Sequence, residues 1–211
     1  MTRKKSRLVS GGISDVMTLK ELAAYLKIAE KSVLRMVNRG EIPGAKVASQ
    51  WRFMRVVIDD WMISRMYSAP RFEVAALAGT VEKTELFPAL ISSNRILPSL
   101  KSDNKREILS QLIEPLVAEK LVSSKDDLLE KLIEREKMVS TAIGLGVALP
   151  HVRDPKDCPV KIPAIVMGRC REGVDFDSID GSRTRLFFLV CCRDEVVHLR
   201  LMAEIALLVR M

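Results

Sequence analysis

Histidine is nearly absent from this 211-residue chain, which has only His151 and His198. Its four cysteines, Cys158, Cys170, Cys191 and Cys192, form no C-x-x-C pair. So few ligands, at such spacings, argue against a structural zinc site, and neither a metal nor a cofactor is expected. Cys191 and Cys192 end the apolar run 186–192. Neighbours in a strand point to opposite faces, so buried, reduced thiols are expected there. No apolar run approaches the roughly 20 residues that a membrane helix needs, so no membrane insertion is expected. The basic start 1–7 is not followed by a long apolar stretch, which argues against a secretory signal and makes a reducing cytoplasm the expected location. Internal repeats and low-complexity tracts are also missing.

What is present is unevenly spread. About half the residues are apolar (48%), enough for a core and too many for global disorder. Residues 1–80 hold 14 basic and 7 acidic side chains, whereas residues 81–211 hold 20 of each. The whole net charge of +7 therefore belongs to the first part. That asymmetry predicts two regions with different partners, the first a polyanion.

Within residues 17–66 the pattern is that of a small DNA-binding module. Thr18 precedes Leu19, Leu22, Ala23 and Leu26, which share one helical face. Glu21, three residues after Thr18, completes a capping box. After a break at 27–29, a second helix over 30–39 is predicted, with Val33, Leu34 and Val37 inward. Lys31, Arg35 and Asn38 form a polar stripe on its other side. Gly40 ends it and Pro43 prevents its continuation. The stretch 42–53 reads as a β-hairpin, with Lys46, Gln50 and Arg52 alternating with apolar residues. A third short helix is marked by Val57, Ile58, Trp61 and Met62. Trp51, Phe53 and Trp61 are expected to build a mini-core in a domain too small for an ordinary one.

These residues resemble the excisionase/MerR-like winged helix-turn-helix family. The resemblance rests on the run 18–23, on Ser32-Val33-Leu34-Arg35, and above all on 39–43 followed by Lys46-Val47 and Trp51-Arg52-Phe53. It implies a helix over 30–39 in the major groove and a wing along the DNA backbone. Lys31, Ser32, Arg35 and Asn38 would touch bases or phosphates, and Lys46, Gln50 and Arg52 phosphates. Where the family has Gly and Ser in the inter-helix turn, this chain has Lys27 and Ala29. Where the family has Gly in the wing, it has Ala48. A weaker helix cap and a stiffer wing are expected. One small module buries little DNA surface, which makes a homodimer plausible.

A basic arm is expected over 1–16 and a linker over 67–82. From residue 83 the pattern changes. Helices are predicted over 105–121, with Pro115 as a kink, over 126–136 and over 196–209. Short strands are predicted over 147–149, 162–167 and 186–191. This mixture means an α/β domain, a sheet flanked by helices, over 83–211. His151 ends Gly144-Leu145-Gly146-Val147-Ala148-Leu149-Pro150, a glycine loop, a strand and a proline that fixes the chain. So presented, it is a nucleophile or base candidate. His198 starts the last helix. A buried structural role is open for both histidines, and 135–137 could be only a solvated helix end.

The run 132–136, Ser140-Thr141-Ala142-Ile143-Gly144, the strand to His151, 173–177, Asp180-Gly181, 186–190 and 198–203 occur in one order. Together they resemble the enzyme IIA domain of the fructose/mannitol type in the phosphoenolpyruvate:sugar phosphotransferase system (PTS), a group that includes the nitrogen-regulatory enzyme IIA proteins. The resemblance implies His151 as phosphoacceptor and His198 in support. It implies that Arg135, sixteen residues before His151, steadies phosphoryl oxygens, and that Ser140 or Thr141 hydrogen-bonds near the acceptor. The donor would be a histidine phosphocarrier protein (HPr-like or nitrogen-type NPr-like), with no metal in the transfer. The resemblance implies a further loop and helix past the helix carrying His198, so either a chain truncated at its C-terminus or a partner that covers the exposed face is expected.

The fusion implies a cytoplasmic DNA-binding regulator that reads phosphotransferase status, a phosphoryl-transfer component rather than a free-standing metabolic enzyme. The alternatives are a phosphocarrier enzyme IIA for sugar uptake with separate IIB and IIC proteins, and an unphosphorylated protein-interaction regulator.

Overall fold

The computed structural model describes residues 16–68 and 86–209. The expected arm 1–16, apart from Val16, and most of the expected linker 67–82 lie outside the described residues. The chain divides into two compact units between Trp61 and Met62. Among the described residues no helix is long and apolar enough to cross a membrane.

The first unit begins with β1 (Val16–Met17), α1 (Leu19–Leu26) and α2 (Glu30–Asn38). The Thr18–Glu21 capping box forms as its spacing predicts, with both reciprocal bonds present. The break between the helices is Lys27, left-handed at φ 53°, and Ala29 starts α2 without a side-chain cap. A hairpin follows, β2 (Ala45–Val47) and β3 (Gln50–Met54), with β3 central in the order β1-β3-β2. Its two-residue turn, Ala48-Ser49, holds both residues at positive φ (47° and 64°), a conformation that favours glycine. The third helix, α3 (Arg55–Ser68), is longer than the short helix expected.

The core of this unit is Met17, Leu22, Ala23, Val33, Val37, Ile42, Phe53 and Ile58. Leu34, expected inward, is 39% exposed. It is one residue, about 100°, around the helix from Val33 and leaves the buried stripe. Of the expected aromatic mini-core, Phe53 is fully buried and Trp51 stacks on it at 6.3 Å between ring centres. Trp61 is half-buried and donates from Nε1 to the Glu41 carbonyl at 2.6 Å.

The second unit contains α4 (Leu86–Leu90), a 3-10 turn (Ser93–Arg95), β4 (Ile96–Leu97), α5 (Lys105–Ala118) and α6 (Lys125–Met138). Then come β5 (Ala142–Gly144), β6 (Val147–Ala148), a second 3-10 turn (Pro155–Asp157), β7 (Ala164–Val174), β8 (Thr184–Cys191) and α7 (Glu195–Val209). The sheet order is β4-β7-β8-β6-β5, with parallel β4–β7 and β6–β8 pairs and antiparallel β7–β8 and β5–β6 pairs. Alternation along β8 explains its unbroken apolar run. Phe187, Leu189 and Cys191 face Ile108, Leu112, Leu116, Leu128 and Leu132 of α5 and α6. Phe188 and Val190 face Leu201, Met202 and Ile205 of α7. A strand covered on both faces needs no polar positions.

Some predicted bounds change. Ile162 lies before β7 and is 52% exposed, with Pro163 between it and the strand. The strand runs on to Val174, past the predicted end at 167, because Arg169 and Arg171 point out while Gly168 and Cys170 point in. Pro115 is buried within α5, which continues past it to Ala118. All four cysteines are free thiols and buried.

Candidate functional site

Strand register brings the two histidines together. β6 lies parallel to β8 with Val147 opposite Leu186 and Ala148 opposite Phe187, and the same offset continues to His151 opposite Val190. The Val190 N–H donates to the Pro150 carbonyl at 2.9 Å, which holds the chain on either side of the proline against β8. Beyond Cys191, Asp194 turns the chain into α7 by accepting from the Val196 and Val197 N–H groups (2.8 and 2.9 Å). His198 therefore sits in the first turn of α7, 5.0 Å from His151 between ring centres.

The local chemistry of His151 follows from one contact. Its Nδ1 lies 2.7 Å from the Leu149 carbonyl oxygen, which can only accept, so Nδ1 carries the hydrogen. In the neutral ring Nε2 then has a free lone pair. Burial is the main force holding the ring neutral. It pushes the His151 pKa well below its ordinary value, helped by the positive charge of Arg135 and then by His198, while the Leu149 bond opposes it. Arg135, in the last turn of α6, is 1% exposed and donates from Nη1 to the Val139 carbonyl at 2.7 Å. His151, His198 and Arg135 are thus collected into one buried site.

Ser140 and Thr141 behave differently. Their hydroxyls donate to the Glu136 carboxylate, Ser140 Oγ to Oε1 at 2.9 Å and Thr141 Oγ1 to Oε2 at 2.6 Å. Ser140 shares its one hydroxyl hydrogen between Glu136 Oε1 and the Phe176 carbonyl. Burial raises the Glu136 pKa, and bonds from Thr141 and Ser140 oppose the rise. Glu136 is the residue that sequence reasoning missed. In the sequence it reads as part of a charged helix end, and its only signal is a Ser-Thr pair four and five residues later. Among the described residues, no cluster of His, Cys, Asp and Glu could hold a metal ion.

The predicted DNA-contacting residues form a separate face on the first unit. Lys31, Arg35 and Asn38 are exposed on α2, and Ser32 is half-buried beside them. On the hairpin, Lys46 and Gln50 are exposed. Lys46 Nζ lies 5.3 Å above the Trp51 ring, and Arg52 donates to Gln50 Oε1 at 2.7 Å and to the Trp51 carbonyl at 2.9 Å. Two of the expected hairpin contacts, Gln50 and Arg52, therefore engage each other.

Comparison with known proteins agrees with both regions. Residues 89–210 match the family described as phosphoenolpyruvate-dependent sugar phosphotransferase system, EIIA 2. Residues 16–66 match a helix-turn-helix domain family. The nitrogen regulatory protein of Bradyrhizobium diazoefficiens is 36% identical over 123 residues, covering 57% of this chain and 78% of that protein. The fructose-specific EIIABC component of Bacillus subtilis is 28% identical over 121 residues, 56% of this chain but only 19% of that protein. Among solved structures, nitrogen regulatory protein IIA-Ntr from Neisseria meningitidis aligns with a TM-score of 0.51 at 30% identity, covering 58% of this chain and 82% of that one. With this sequence match over more than half its length and a mixed sheet flanked by helices, the chain belongs to the EIIA 2 family of the phosphoenolpyruvate-dependent sugar phosphotransferase system and carries a helix-turn-helix domain before it.

Proposed function

We propose that this protein is a regulator whose IIA domain accepts a phosphoryl group on His151 and whose helix-turn-helix domain binds DNA, the first event changing the second. The observation that carries the reading is the bond from His151 Nδ1 to the Leu149 carbonyl, which leaves Nε2 as the nucleophile beside His198. The donor is a histidine phosphocarrier protein, HPr-like or NPr-like. The Nε2 lone pair forms the new N–P bond as the donor's N–P bond breaks, and that electron pair returns to the donor ring. Positive charge arising on the His151 ring is shared with the Leu149 carbonyl through Nδ1–H. Arg135 and His198 offset the phosphoryl charge, so positioning and electrostatics suffice. The product carries a compact dianion, and that added charge is the change that alters DNA binding through Lys31, Arg35 and Lys46. Two copies acting on one DNA site would supply the contact area that one small module lacks.

The fructose-specific relative favours a second reading, a phosphoryl carrier for sugar uptake working with separate IIB and IIC proteins. The helix-turn-helix domain has no task in it. A gel-shift series on genomic fragments, with protein before and after phosphorylation by phosphoenolpyruvate and the general PTS proteins, tests the regulator. Salt-sensitive binding that differs between the two forms is expected, and Arg35→Ala weakens it in both. Equal affinity of the two forms removes the coupling, and no binding by either removes the DNA-binding role.

A further inference from the structure

Glu136 places a carboxylate inside the domain, 9% exposed, directly after Arg135 on α6. A buried carboxylate is tolerated only when donors surround it. Here Thr141 supplies its backbone N–H to both oxygens at 3.1 Å and its hydroxyl to Oε2 at 2.6 Å, and Ser140 Oγ stands 2.9 Å from Oε1, sharing its hydrogen with the Phe176 carbonyl. Lys105 Nζ stands 3.9 Å from Oε1. The segment so held leads straight to the acceptor. The Thr141 carbonyl accepts from the Leu149 N–H at 3.0 Å, and the Leu149 carbonyl accepts from His151 Nδ1–H at 2.7 Å. Fixing Thr141 therefore fixes Leu149, and fixing Leu149 fixes the carbonyl that selects the imidazole tautomer.

We propose that Glu136 is a positioning residue for phosphoryl transfer, holding Thr141 and through it the Leu149 carbonyl so that the Nε2 lone pair of His151 stays the attacking atom. This deepens the reading of His151 as acceptor and rests on it. A neutral imidazole without that carbonyl exchanges its proton between the two nitrogens, and the Nε2–H form cannot attack. Arg135 grips the Val139 carbonyl of the same segment, so adjacent helix residues brace it with opposite charges.

The test uses the full chain labelled with 15N-histidine. The chain has two histidines, and His151→Gln identifies which signals belong to His151. In the wild type, Nδ1 of His151 should show the protonated shift and Nε2 the unprotonated one. In Glu136→Gln the two shifts should move toward each other. The initial rate of phosphorylation by phosphoenolpyruvate and the general PTS proteins should fall about tenfold, the scale on which outer partners of a working imidazole act. Wild-type shifts and rate in Glu136→Gln would overturn the proposal, as would a lower melting temperature with unchanged shifts, which marks a purely structural brace. If that variant does not fold, Thr141→Ser and Thr141→Val replace it. Ser should keep the wild-type shifts and Val should lose them, and equal patterns in the two overturn the proposal. A wild type that takes no phosphate on His151 defeats the acceptor reading instead, and the tautomer shifts report on Glu136 separately.

Discussion

The described polar side chains that are fully buried lie in the IIA domain, whereas the helix-turn-helix domain part-buries a polar cluster, Tyr25, Arg55 and Asp59. Among the described residues, the buried polar or charged side chains are Arg135, Glu136, Thr141, His151, Thr184 and His198, all in the IIA domain. The helix-turn-helix core is apolar throughout, and Lys31, Arg35, Asn38, Lys46 and Gln50 face solvent. In the first domain, then, function can be altered by surface substitutions that leave folding alone. In the second, each group proposed for the chemistry also belongs to the fold, and its removal leaves buried partners unsatisfied.

The largest expected effect comes from Phe53→Ala, which empties the middle of the small core at a cost of about 3–5 kcal/mol. So small a domain has little more stability than that. The domain should unfold while the IIA domain stays folded. Both tryptophans, Trp51 and Trp61, lie in the first unit, so their fluorescence follows that unit while far-UV circular dichroism in urea follows both. Loss of the two signals in one step would show that the units do not fold separately.

Next is Arg135→Met, which keeps the apolar stem and removes the guanidinium. Phosphorylation should slow about a hundredfold, as when one charge-stabilising donor is lost. Arg135→Lys should recover little, since a point charge does not reproduce the planar fork. Wild-type phosphorylation by Arg135→Met would separate Arg135 from the chemistry and leave it as a brace for Val139.

A smaller effect should appear in stability against pH. The pKa of His151 is depressed in the folded state, so below about pH 6.5 the unfolded chain binds a proton that the folded chain refuses. The stability due to the neutral ring is fully present above that pH and is lost as pH falls below it. His151→Gln should flatten this part of the curve in urea titrations between about pH 7.5 and 5.5. An unchanged slope in the variant would assign the pH dependence to other groups. Smallest is Ala48→Gly, which relieves a left-handed alanine in the wing and should raise the stability of the first domain by up to about 1 kcal/mol. A lower midpoint would mean that wing stiffness supports the folded domain.

The same contrast explains what could be read in the sequence. Local rules are enough for the Thr18–Glu21 capping box, the hairpin within 42–53 and the exposed row Lys31, Arg35 and Asn38, because each depends on neighbours within a few residues. The Ala48-Ser49 turn, without glycine, is not signalled locally. The convergence of His151 and His198 depends on the register between β6 and β8, which no local pattern reveals, and only a family resemblance linked them beforehand. Glu136 stayed hidden because a charged residue near a helix end usually faces water, and here the Ser140–Thr141 turn folds back over it. The predicted strand 162–167 stops short of the end of β7 because Arg169 and Arg171, exposed on one face, interrupt the apolar run that continues at Cys170 and Val174.

The central claim is that His151 takes the phosphate. Incubation of the full chain with phosphoenolpyruvate, enzyme I and the phosphocarrier protein, followed by mass spectrometry at neutral pH, tests it most directly. One acid-labile phosphate on the peptide carrying His151, and none in His151→Gln, is the predicted result. Phosphate on His198, or an unmodified chain under conditions that charge a known IIA protein, would contradict it.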